Sequence, residues 1–277
     1  KKISFSKKWQ KILFTDLVDK IQKPKSNLGL IIEQRLSLLN PLDLKIDLKT
    51  FQTLDVTIDE IEFAKNLFEK NGVDSSKKTI MLSIIGSALD KTYLPENMSK
   101  IIDDIAKSHD VNLLFNYIPN QIELAKTILN LCNKETQSKI YFNVLGANLR
   151  EFIAIMNACD LIIGNDGGAI NIAKALNKPS FIIFSPWIDK KGWATFEDGV
   201  KHVSVHLKDF KPELCTQKSD KEIKKNYLSL YKEFSPNLFM DKIDSFLNHN
   251  LNQLKKDSDF EIKYNKLALT ALIITYN

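Results

Sequence analysis

Between residues 77 and about 185, short apolar runs and amphipathic stretches alternate in strict order, and few folds satisfy that pattern. Thr79–Ile85 is a strand-like run that ends at Gly86. Pro95–Ser108 follows, with Met98, Ile101, Ile102, Ile105 and Ala106 at helical spacing. Val111–Phe115, Ile140–Phe142, Leu161–Ile163 and Phe181–Phe184 continue the strand series. Asn120–Leu131, Asn148–Ala158 and Gly168–Leu176 supply the helices between them, with Asn148 as an N-cap. Strands apolar on both faces, separated by helices of about 10–14 residues, predict a buried parallel sheet with right-handed crossovers. The expected class is α/β: a Rossmann-like parallel sheet with helices on both faces.

The flanks have a different pattern. Residues 1–76 show no strand series, and amphipathic runs at Trp9–Ile21, Leu28–Leu39 and Ile58–Lys70 predict a helical linker. Residues 211–262 are rich in Lys, Asp and Asn, with one helical stretch from Asn237 to Leu254. Leu267–Asn277 is abruptly apolar and strand-like. The expected organisation is a linker over 1–76, the Rossmann-like domain over 77–210, a polar, partly helical extension over 211–262, and the start of a further unit in 263–277.

Charge and cysteine narrow the partners. The chain has 277 residues with a net charge of +5, and Arg35 and Arg150 are its two arginines. So weak a field with no arginine stripe argues against nucleic acid as a partner. Cys132, Cys159 and Cys215 lack CxxC spacing and fit free thiols in a reducing cytoplasm. His109, His202, His206 and His249 are scattered, so surface or strand-edge positions are expected and no metal site. No apolar run approaches the ~20 residues that cross a bilayer, and no secretory signal pattern opens the chain. GxSxG, HExxH and P-loop motifs are absent, which removes the serine hydrolase, zincin and P-loop readings.

In a parallel sheet a ligand binds beyond the carboxyl ends of the strands. The candidate loops are therefore Gly86–Pro95, Leu145–Asn148 with Gly146, Gly164–Asn171 and Ser185–Gly192. In Gly164–Asn171 the small residues Gly167, Gly168 and Ala169 let backbone N–H groups approach a phosphate at a helix N-terminus. Asp166 is placed to cap that helix or to accept from a ligand hydroxyl. The same segment also suits an ordinary tight strand–helix turn. Ser87 and Lys91 lie in the first loop, where a lysine neutralises a phosphate or is simply solvated. The two loops converge on one edge of the sheet, which favours an anionic nucleotide ligand.

These residues resemble glycosyltransferase family 9, the lipopolysaccharide heptosyltransferases. The family signature is an aspartate, a serine or threonine, a glycine, two further residues and a histidine, then a helix, "GKP", an apolar strand and a turn with proline. Here it becomes Asp166-Gly167-Gly168-Ala169-Ile170-Asn171, Ala173 to Pro179, Phe181–Phe184 and Ser185-Pro186-Trp187. Lys91 and Pro95 match a lysine-and-proline segment of the family, and Ile31–Leu36 is similar to its linker helix. Two positions depart: the family's histidine is Asn171 and its Ser/Thr is Gly167. Asn171 still donates a hydrogen bond but carries neither charge nor a transferable proton.

The resemblance implies the C-terminal, nucleotide-sugar half of a GT-B enzyme. It implies a nucleotide diphosphate sugar, ADP-heptose by analogy, as donor substrate with no cofactor. Ser87, Lys91, Gly146, Asp166, Gly167, Gly168, Ala169 and Asn171 would form the site. The acceptor, a lipid-linked or cell-envelope glycan, and the aspartate base belong to the family's first half, so no catalytic residue is assigned in this chain. Attachment to the inner membrane face would follow from such an acceptor. Leu269–Asn277 is similar to the opening strand of family 2 glycosyltransferases, which implies a fragment of a longer, bifunctional protein. The alternative is a non-catalytic nucleotide-binding or docking module with a degenerate site.

Overall fold

The computed structural model describes residues 1–7, 10–44, 53–216 and 218–257. Its centre is a six-stranded sheet formed by β3 (Lys78–Ser83), β4 (Val111–Phe115), β5 (Ile140–Tyr141), β6 (Leu161–Asn165), β7 (Ser180–Ile183) and β8 (His202–Val205). The spatial order is β5-β4-β3-β6-β7-β8, and every neighbouring pair is parallel. From the first strand of this sheet onward, that is the Rossmann order, with its reversal between β3 and β6. Five strands fall where the apolar runs place them. β8 was not anticipated, because its sequence His-Val-Ser-Val is half polar.

Alternation along the strands feeds two cores. Ile80, Leu82, Leu113, Phe115, Leu161, Ile163, Phe181 and Ile183 face one side, and Met81, Leu114, Ile162 and Ile182 the other. Among the described residues, α1 (Leu30–Ser37) and α2 (Ile58–Lys70) precede the sheet. α3 (Pro95–Ser108), α4 (Ile122–Leu131), α5 (Lys134–Ser138), α6 (Leu149–Ala158), α7 (Gly168–Ala175) and α8 (Lys190–Trp193) lie between or after its strands. α9 (Asp220–Lys225), α10 (Tyr227–Glu233) and α11 (Met240–Asp257) follow β8. Phe63, Leu67 and Phe68 of α2, Ile155 and Met156 of α6, and Ile170 and Ala173 of α7 pack on the second face. α3, α4, α10 and α11 cover the first, where Phe234, Phe239, Ile243 and Phe246 join the core around Phe181. The core therefore runs on through the boundary read at residue 210.

The N-terminal flank corrects the sequence reading. Trp9–Ile21 was expected to be helical; instead β1 (Ile3–Phe5) pairs in parallel with β2 (Asp16–Val18). The expected apolar face is not buried, since Ile12 is 91% and Leu13 57% exposed. Thr15 spends its hydroxyl on the Lys2 main chain, accepting from its N–H at 2.9 Å and donating to its carbonyl at 3.1 Å. Such side-chain bonds compete with a helix. The predicted helices at Leu28–Leu39 and Ile58–Lys70 are present as α1 and α2, the latter opened by a Thr57–Glu60 capping box. The apolar tail Leu267–Asn277 lies outside the described residues.

Candidate functional site

The order reverses between β3 and β6, so their C-terminal ends open the crevice where ligands bind in such sheets. Gly164 makes the two strands meet closely. Its φ is +141°, and a side chain there would run into the Ser83 backbone. One residue on, the buried Asn165 bridges the gap. Its Nδ2 donates to the Ser83 carbonyl at 2.9 Å, and its Oδ1 accepts the Tyr93 N–H at 2.7 Å. The loop after β3 is thus tied at its far end to the tip of β6. Gly86 folds the start of that loop back, its N–H donating to Thr92 Oγ1 at 3.1 Å.

The third neighbour, the loop after β7, is fastened to the same place. The Asp90 carbonyl accepts Ser185 Oγ at 2.6 Å and the indole Nε1 of Trp187 at 2.9 Å. Lys91 sits with its ammonium 5.6 Å from the Trp187 ring centroid and joins no ion pair among the described residues. Asp166 begins the loop after β6. Burial pushes its carboxyl up, opposed by the charges of Lys91 and Lys174 and by the Gly167 N–H. Lys91 and Asp166 are therefore electrostatic neighbours, although they come from separate strands.

Asp166 does not cap α7. The N-cap is Gly167, with no side-chain cap hydrogen bond, so the first N–H groups of the helix keep their full donor capacity. Gly168 is exposed, Ala169 half-buried, and Asn171 exposed on the first turns. A side-chain carbon built on Gly167 or Gly168 meets nothing within 4 Å, so both face open space. Lys174, deeper on α7, is buried and donates to the Thr195 carbonyl at 2.5 Å. Burial pushes its ammonium down to about 8, opposed by Glu197, Asp166 and Asp198.

The predicted residues divide into two groups. Lys91, Asp166, Gly167, Gly168, Ala169 and Asn171 flank the β3–β6 junction, and Ser87 is exposed on the same β3 loop. Gly146 is apart: it lies after β5, two strands away, packed on the backbone of Glu151 and Phe152 in the first turn of α6. Asn165, Tyr93 and Asp90 lie within the candidate loops but were not singled out, and their signal is positional, since all three flank the strand ends that meet at the reversal.

Of the surface or strand-edge positions expected for the histidines, His202 takes the second, opening the edge strand β8, and His206 directly follows that strand. Neither is on the surface, since they are 4% and 2% exposed. His202 Nδ1 lies 3.0 Å from Ser180 Oγ, and His206 Nδ1 accepts the Lys208 N–H at 2.9 Å. Burial pushes both rings down to about 4. A surface hollow lined by Lys100, Asp103, Asp104 and Lys107 opens elsewhere, at α3 and α5.

The fold agrees with comparisons to known proteins. The family model for glycosyltransferase family 9 (heptosyltransferase) matches residues 1–224. The chain belongs to glycosyltransferase family 9. A curated member, lipopolysaccharide core heptosyltransferase OpsX of Haemophilus influenzae, is 26% identical over 129 residues, which are 46% of this chain and 34% of that protein. The chain thus spans about a third of the length of this relative. The solved family 9 glycosyltransferase from Veillonella parvula superposes with a TM-score of 0.58 at 12% identity, covering 83% of this chain and 67% of that one. ADP-heptose LPS heptosyltransferase II of E. coli gives 0.50 at 17% identity, covering 70% and 57%. At these identities the two structures show the fold, and it is the expected one: the Rossmann-like sheet of a GT-B family 9 glycosyltransferase.

Proposed function

We propose that this family 9 chain holds a nucleotide diphosphate sugar, ADP-heptose by analogy with its relatives, for transfer to a lipopolysaccharide or other cell-envelope glycan. The observation that carries the reading is the convergence of Lys91, Asp166 and the uncapped N-terminus of α7 at the reversal of strand order. A cation, helix N–H donors and a carboxylate suit, in turn, a diphosphate, its non-bridging oxygens and a ligand hydroxyl.

In this reading the acceptor hydroxyl attacks the anomeric carbon on the face opposite the diphosphate. The bond from that carbon to the diphosphate oxygen breaks, and the configuration inverts. Lys91 and the first N–H groups of α7 take up the charge of the departing nucleoside diphosphate, without a metal. Preorganised donors of this kind contribute a few kcal/mol each. The base and the acceptor site would come from parts of the relatives' length that this chain does not span, so the chain alone would bind donor without turnover. Transfer would take place in the cytoplasm, at the inner membrane face where a lipid-linked acceptor is presented. Among the described residues no helix is long and apolar enough to cross a membrane.

A second reading, a non-catalytic module, is favoured by Gly167 and Asn171 standing where the family has Ser/Thr and histidine. Calorimetry with ADP-, UDP- and GDP-sugars separates the two. Binding of a nucleotide sugar that weakens in Lys91→Ala supports the donor site. A chain that binds none of them is a module.

A further inference from the structure

The segment after β8 returns to the sheet edge where the loops meet. Lys224, on the last turn of α9, reaches across to the β3 loop and pairs with the Asp90 carboxylate at 3.2 Å. Its ammonium also lies 4.2 Å from the Trp187 ring centroid, the indole that Lys91 approaches at 5.6 Å. Two ammonium groups, from residues 133 positions apart, thus gather on one aromatic ring, within the distance at which a cation feels its face. The ring is held from its edge, since Nε1 donates to the Asp90 carbonyl, which Ser185 Oγ also occupies. Asp90 therefore sets the position of both the indole and Lys224.

The Asp90 carboxylate pairs with Lys224, while Lys91 joins no ion pair among the described residues. The arrangement suits an arriving anion with charge on two adjacent centres. Lys224 is free enough to turn toward it, as its side chain is 52% exposed and its ion pair is of the weak, solvated kind. α10, next in the chain, packs on the same place. Tyr231 is fully buried and lies against Ser185, with Asp90 and Asp166 as its charged neighbours. The α9–α10 hairpin is thus built into this edge rather than appended to it.

We propose that Lys224 is a second cation of the donor site, which acts with Lys91 across Trp187 to select a diphosphate over a monophosphate. The inference rests on the donor-site reading above. Lys224 is the last residue matched by the family model, and the hairpin continues beyond it.

The test is calorimetry of ADP and AMP on the 277-residue chain, in wild type, Lys224→Gln, Lys224→Arg and Lys91→Ala, at two salt concentrations. Lys224→Gln should weaken ADP about tenfold, as expected for one lost charge-assisted contact, and flatten its salt dependence. AMP should change little, and Lys224→Arg should keep ADP affinity. If Lys224→Gln binds ADP as wild type does while Lys91→Ala does not, the role of Lys224 is overturned and the donor site stands. If wild type binds ADP and neither variant weakens it, or wild type binds no ADP, both fall.

Discussion

Asn165, the last residue of β6, accepts the main-chain N–H of Tyr93 on its side-chain Oδ1 at 2.7 Å. Its Nδ2 donates to the Ser83 carbonyl at the end of β3, so one buried amide couples the two strands and the loop that carries Lys91. Neither partner has a solvent substitute. Asn165→Ala leaves a buried donor and a buried acceptor unpaired, which costs about 2–4 kcal/mol. The midpoint of urea unfolding should drop accordingly; an unchanged midpoint would show that the bridge is dispensable.

Gly86→Ala acts on the same loop from its other end. The added carbon meets the Lys91 carbonyl and backbone, which must shift to make room. The expected cost is about 1–3 kcal/mol, together with weaker nucleotide binding as Lys91 moves off Trp187. A melting temperature and an ADP affinity both equal to wild type would contradict this.

Gly167→Ser tests the departure from the family pattern in the opposite direction. Gly167 has an extended backbone, with φ 170°, and a side chain there meets nothing within 4 Å. The substitution should therefore leave the melting temperature within about a degree, since surface changes of this kind stay near 0.5 kcal/mol. The added hydroxyl at the start of α7 should tighten ADP binding severalfold. Weaker binding would show that the loop is adapted to glycine.

The buried histidines give the fold a pH dependence. Unfolded, His202 and His206 titrate near 6.5; folded, burial keeps both neutral down to about 4. Between those values the unfolded chain takes up protons that the fold excludes. Stability is therefore complete above pH 6.5 and falls as the pH drops toward 4, by a few kcal/mol in all. Urea midpoints at pH 7.5 and 5 should differ, and His206→Gln should narrow the difference. An equal difference in the variant would assign the loss to other groups.

The sheet was legible because β3, β4, β6 and β7 are apolar on both faces, a pattern that a buried parallel strand produces and a surface element does not. β8 escaped because its polar residues are buried in pairs: Ser180 lies beside His202, and the Glu197 carboxylate accepts both the main-chain N–H and the hydroxyl of Ser204. Periodicity cannot register a polar strand whose partners are distant in sequence. The reverse error occurred at Trp9–Ile21, where helical spacing is real but Ile12 and Leu13 stay exposed among the described residues. At the site, Lys91 and Asp166 were readable as loop residues between strand and helix. Asp90 and Trp187 were readable only as members of candidate loops, and Lys224 was not readable at all, because it meets them only where α9 returns to the sheet edge after β8.

The central claim is that a nucleoside diphosphate binds at the edge where β3 and β6 end. Amide-resolved NMR of the labelled chain, titrated with ADP, tests it most directly. The predicted result is saturable shifts at Gly86–Lys91 and at Asp166–Ala169, lost in Lys91→Ala. Shifts confined to other parts of the chain, or none at millimolar ADP, would contradict it.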